Sequence, residues 1–170
     1  MTDPIGLEAA ERQLDRVQAF FPRIDAKVSA LFAISSAQIA VAAVNITVPD
    51  LHHWWIAVPG IVFAVLMSAT FINLYWCTYP HLRGGANSLV YFQAISSLKE
   101  EEYLARYVSI SEQSLKVEII RQIWRNSEIV SAKYRYLKDA TLAVCLALVP
   151  WTILLAATSL ANGKLPTIAG

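Results

Sequence analysis

Three stretches of the chain carry no aspartate, glutamate, lysine or arginine: Val28 to Val48, Leu51 to Leu82 and Ala140 to Gly163. A helix needs about 20 apolar residues to cross a bilayer, and each run is long enough. Buried core helices do not account for them, because the remaining chain is too short to cover so much apolar surface. The pattern therefore predicts transmembrane helices at 28–48, 54–79 and 140–163. Trp54, Trp55, Trp76 and Tyr79 bracket the second, as aromatic rings do at headgroup depth.

The polar segments carry helical periodicity of their own. In residues 1–27, Leu7, Ala10, Leu14, Val17 and Phe21 recur at helical spacing, with Asp3 placed to cap the helix, Pro4 to start it and Pro22 to end it. Residues 80–139 form the long segment between spans two and three. Asn87 to Leu98 reads as a short helix, Ser97-Leu-Lys-Glu100 as a capping box, and Ser109-Ile-Ser-Glu112 as a second box opening the last helix. That last helix has an apolar stripe of Ile120, Ile123, Val130, Tyr134 and Leu137. Arg121, Arg125, Glu128 and Arg135 lie roughly opposite. No glycine or proline interrupts Glu112 to Val149, so one helix of about 50 Å or more is expected to rise into span three. The fold class predicted is an all-α integral membrane protein. Three transmembrane helices carry a cytoplasmic helical domain between spans two and three.

Composition agrees with that picture: 56% of residues are hydrophobic and only 16% charged, against about 25% in soluble domains. A net charge of +1 leaves no excess to argue for nucleic acid. Cys77 and Cys145 both fall inside apolar runs, which fits small buried residues rather than a disulfide framework. Asp3, Glu8, Glu11 and Asp15 are unlike a basic signal-peptide n-region, so the first span is expected to remain as an anchor. Thirteen of the fourteen basic residues precede span one or lie between spans two and three. The positive-inside rule then puts the N-terminus and residues 80–139 in the cytoplasm and the C-terminus in the periplasm, across the inner membrane.

Candidate chemistry is sparse. No nucleophile–base pair or metal-ligand spacing is present, so neither an enzyme nor a cofactor or metal is expected. His52-His53 reads as polar interface beside Trp54-Trp55, and Glu100-Glu101-Glu102 as a first turn favoured by the helix dipole. Gln38 and Asn73, inside the spans, are expected to hydrogen-bond between helices. Ala33, Ser36, Ala37, Ala40 and Ala43 form a small-residue face, suited to packing within one chain or to self-association as a homo-oligomer. Arg121, Arg125 and Arg135, with Trp124 and Tyr134, form either a face that takes a phosphate and stacks a base or a solvated surface.

Several short motifs, weak singly, occur in a telling order. Arg23-Ile-Asp25-Ala-Lys27 enters the first span, and Pro80 closes the second. Asn87-Ser-Leu-Val-Tyr91-Phe92 and Glu102-Tyr103 follow, then Gln122-Ile123 and Lys133-Tyr134 on the helix running into the last span. This order resembles the Pycsar effector family of membrane proteins over about residues 12–160. The resemblance implies an antiphage role: a cyclase makes cyclic CMP or cyclic UMP on infection, and the effector damages the host membrane in abortive infection. It marks Asp25, Lys27, Asn87, Tyr91, Phe92 and Lys133 as signalling or coupling candidates. One departure is that the chain has no glycine-rich β-roll of a separate cyclic-nucleotide-binding domain.

Overall fold

The computed structural model describes residues 6–79 and 88–163, which are 89% helical with no strand among them. Six α-helices follow one another: α1 Leu7–Gln18, α2 Phe20–Asn45, α3 Trp54–Thr78, α4 Phe92–Ser96, α5 Glu100–Ser109 and α6 Glu112–Asn162. A 3-10 turn, Pro49–His52, joins α2 to α3. Three helices, ending in α2, α3 and α6, are long and apolar enough to cross a membrane. The chain is an all-α membrane protein with a polar helical segment between its second and third spans.

The chain divides into two compact units, Met1–Arg23 with Pro80–Ala132, and Ile24–Tyr79 with Lys133–Gly170. In the second, Ala42 from α2, Ile56, Phe63 and Met67 from α3, and Ala147, Leu154 and Ala157 from α6 form the buried core. Small residues on α2 and α6 let those helices approach closely, which gives spans their packing enthalpy in lipid. The opposite faces carry exposed large side chains such as Ile34, Ile61, Val65 and Leu146, as a lipid-facing surface requires.

In the first unit, α1 buries Ala10 and half-buries Leu7, Leu14 and Val17, while an exposed Glu8–Arg12 pair spans one turn at 3.1 Å. The expected end of this helix at Pro22 is not where it falls. The break lies at Ala19, and α2 starts at Phe20, well ahead of the apolar run. Pro22 is then the third residue of α2, where its missing N–H is one of the four amides a helix cannot pair internally. Asp3 and Pro4 lie outside the described residues.

Both capping boxes form differently from their sequence signatures. Lys99 occupies the N-cap of α5 without a side-chain bond, and the Ser97 hydroxyl donates instead to the Ala94 carbonyl at 2.7 Å, closing α4. At α6 the cap is Ser111, whose Oγ accepts the Ser114 amide at 3.2 Å, and Ser109 turns back onto Arg106. The short helix expected from Asn87 shrinks to Phe92–Ser96, because Ser88 Oγ accepts the amides of Val90 and Tyr91 at 3.2 Å each and holds a turn.

α6 is unbroken through Pro150. At 1.5 Å per residue its 51 residues extend about 75 Å. The expected apolar stripe is met in part: Leu137 is buried and Ile123 and Val130 half-buried, but Ile120 and Tyr134 are exposed, and a second row, Ile119, Asn126, Lys133, Ala140, Ala147 and Leu154, every seventh residue, is buried beside it. Two polar members, Asn126 and Lys133, hid that row from a reading of hydrophobicity alone.

Candidate functional site

Where α2 begins its apolar stretch, Asp25 meets Lys133 of α6. Lys133 Nζ donates to Asp25 Oδ1 at 2.8 Å. The pair is lopsided: the Lys133 side chain is 9% exposed and that of Asp25 58%. A buried ammonium is costly unless a carboxylate and hydrogen bonds satisfy it, so this contact fixes the approach of α2 to α6. The second span, α3, joins at the same level, since its Cys77 Sγ donates to the Lys133 carbonyl at 3.4 Å. Three helices are thus tied at one residue. Lys27, two positions from Asp25, is exposed and has no ion pair among the described residues.

The same bundle has ties farther along. Trp151 Nε1 of α6 donates to the Gln38 carbonyl of α2 at 3.0 Å. The interhelical bond at Gln38 is therefore made by its backbone, and its buried side-chain amide has no hydrogen-bond partner among the described residues. Asn73 likewise turns back on its own helix, donating to the Ala69 carbonyl at 2.8 Å; an intrahelical carbonyl satisfies an amide in lipid without help from a neighbour. Beyond the spans, Asp50 Oδ2 accepts from the Thr47 hydroxyl at 2.7 Å and the Thr47 amide at 2.8 Å, and Asn162 Nδ2 approaches at 3.3 Å. The Thr47 hydroxyl, then the Thr47 amide, hold the Asp50 carboxyl below the usual carboxylate range, with Asn162 and His53 adding to them against the effect of burial.

In the polar unit, Glu118 of α6 organises the loop ahead of α4. Its Oε2 accepts the Leu89 amide at 2.7 Å and the Ser88 hydroxyl at 3.4 Å. Leu89 and Tyr91 are buried there, while Phe92 is 67% exposed with its ring 4.9 Å from that of Tyr91. Tyr91 is therefore a packing residue of this loop, and its hydroxyl donates to Gln93 Oε1 at 3.1 Å. Asn87 lies outside the described residues. Glu118 escaped the sequence reading because its main partner is a backbone amide 29 residues away, which no side-chain pattern reports.

Arg121, Trp124 and Arg125 stand within about one turn of α6, with Arg121 and Trp124 exposed and Arg125 half-buried. Arg135 lies about 21 Å farther along the helix than Arg121. Its guanidinium sits over the Tyr136 ring at 5.7 Å, and neighbouring Tyr134 is exposed. No group of three or more metal-ligating side chains occurs among the described residues.

No curated protein and no solved structure matches this chain. A family described as the Pycsar effector protein domain matches residues 9–160, nearly the whole length and every helix described above. The three spans, the Asp25–Lys133 tie at the start of the first and this match together place the chain in the Pycsar effector family, as a membrane effector of antiphage defence.

Proposed function

We propose that the protein is the messenger-triggered member of such a defence: it senses a cyclic pyrimidine nucleotide through its polar helices and impairs the integrity of the inner membrane. The N-terminus and residues 80–139 lie in the cytoplasm in this reading, where thirteen of fourteen basic residues fall. The supporting observation is that α6 continues from the Arg121–Arg125 turn past Lys133 into the last span without a break. A ligand on the polar half thereby biases a helix whose other half is tied to α2 and α3.

The arithmetic is feasible. Moving a resting population from 1:99 to 99:1 takes about 5.5 kcal/mol of differential affinity. Charge-assisted hydrogen bonds contribute about 1.5–3 kcal/mol each, so a phosphate held by Arg121 and Arg125 in each subunit of an assembly supplies enough. Titrating purified full-length protein with cyclic CMP and cyclic UMP tests the reading. Binding of one, weakened by at least tenfold in Arg121→Ala or Arg125→Ala at unchanged protein level, supports it. Binding of neither removes the messenger from it.

A second reading, a constitutive scaffold that docks a protein partner, draws on exposed apolar side chains of the polar segment. Val108 is 82% exposed and Trp124 61%. A scaffold has no reason to injure the membrane, so growth arrest on expression with the messenger separates the two.

A further inference from the structure

Gln38 stands at the middle of the uncharged run Val28 to Val48, where a bilayer offers no water to a polar side chain. It is covered by the chain's own helices, and so is Ser35, three residues earlier on the same face of α2. Gln38 is 6% exposed and Ser35 0%. Ser35 Oγ and both polar atoms of the Gln38 amide have no hydrogen-bond partner among the described residues. The buried threonines of the spans behave differently: Thr70 donates to the Leu66 carbonyl at 2.9 Å and Thr158 to the Leu154 carbonyl at 3.1 Å. A serine on a helix can do the same, so the Ser35 hydroxyl is turned away from an acceptor within its reach.

The facing part of α6 is polar at the same depth. Trp151 Nε1 donates to the Gln38 carbonyl at 3.0 Å, which sets the level of α6 against α2. Pro150, next to it and buried, brings no N–H to the Leu146 carbonyl, so that carbonyl lacks its usual helical donor. Polar groups left in this way are costly in a dry interior unless something satisfies them.

We infer that Ser35 and Gln38 hold one or two water molecules inside the span bundle, at the α2–α6 contact. Burial selects the occupant. Neither a lipid nor a second copy reaches side chains that the chain's own helices already cover. A cation would meet an amide donor, no carboxylate on either residue, and too few oxygens to replace its water shell. Water donates and accepts at once, and buried water serves groups of this kind. The spacing suits it. Side chains three residues apart on a helix have Cβ atoms about 5–6 Å apart, and a water bonded to two atoms at about 2.8 Å each spans that gap.

Magnetic resonance on the full-length protein in lipid bicelles, isotope-labelled at its glutamine and tryptophan side chains, tests this. The Gln38 amide is assigned by its loss in Gln38→Leu, or by its displacement in Gln38→Asn should the leucine variant fail to fold. A dipolar cross-peak from water to that amide, opposite in sign to chemical exchange, is expected, and it should weaken at least twofold in Ser35→Ala. The Trp151 indole signal, which reports the bond to the Gln38 carbonyl, should stay in place in that variant. The lack of a water cross-peak would overturn the site, whether acyl-chain protons or those of an unlabelled copy in mixed samples take its place. A water cross-peak that Ser35→Ala leaves unchanged would overturn the pairing of the two residues. Loss of the water and indole signals together would make Ser35 a packing residue and overturn its part as well. The readout uses no nucleotide, so it stands or falls apart from the messenger reading.

Discussion

Two charged side chains are buried among the described residues, Lys133 and Asp50, and each has partners of a different kind. For the Lys133 ammonium a carboxylate is supplied by Asp25 from a half-exposed position. Removing the two partners therefore has unequal consequences. Asp25→Ala leaves an ammonium in a buried place without its carboxylate, and should cost about 1.5–3 kcal/mol of bundle stability. Lys133→Met leaves a carboxylate that water reaches and keeps most of the buried volume, so it should cost less. Unfolding each variant in mixed micelles checks the order; equal losses would show that the pair is worth no more than its packing. At Asp50 the hydrogen-bonded carboxylate is favoured in the folded state. A depressed folded value means that its stabilisation is complete above the ordinary carboxylate value of 3.8 and is lost as pH falls through the lower folded one. Amide exchange at Thr47 should accordingly stay slow from neutral pH down to about 4, once corrected for the intrinsic pH dependence, and quicken below it. Asp50→Asn should be fast throughout.

Among the elements, the spans were legible because lipid imposes a single rule: a continuous uncharged run long enough to cross. Their contacts were less so. Pro22 has the look of a terminator although a proline in a first turn lacks nothing the helix needs, and Ser97 that of an N-cap although it closes the preceding helix. Ser111 is the working cap, and Ser111→Ala should weaken the first turn of α6 by about 1 kcal/mol, seen as about fivefold faster exchange of the Ser114 amide. The continuity of α6 has a sharper test. Two glycines inserted after Lys138 cost little in a helix of this length but rotate and soften the connection. Nucleotide binding should survive and membrane injury should not; a fully active insertion variant would dismiss the continuous helix as the transmitter.

For the whole molecule, the family match and the three spans agree on a membrane effector. The motif residues Asp25 and Lys133 were legible from their order along the chain, but their partnership was not, because it joins positions 108 residues apart. Glu118 and the Asp50–Asn162 approach were illegible for the same reason. The orientation rests on basic residues alone. Reporter fusions after Leu51 and after Gly170 should read periplasmic and one after Lys99 cytoplasmic, and a cytoplasmic reading at Gly170 would reverse or remove the last span.

The seven-residue row along α6 limits what kind of signal this helix can carry. Ile119, Asn126, Lys133 and Ala140 are interchangeable in position but not in chemistry. A piston stroke of one repeat, about 10 Å, would carry Lys133 away from Asp25 to where Ala140 or Asn126 now packs, and a misplaced ammonium forbids it. Smaller axial slips put the row out of phase. Twist and tilt about the Lys133 pin remain open, since they move the ends of the rod while leaving its charged middle seated. In the proposed signalling, the helix is therefore expected to turn rather than to slide.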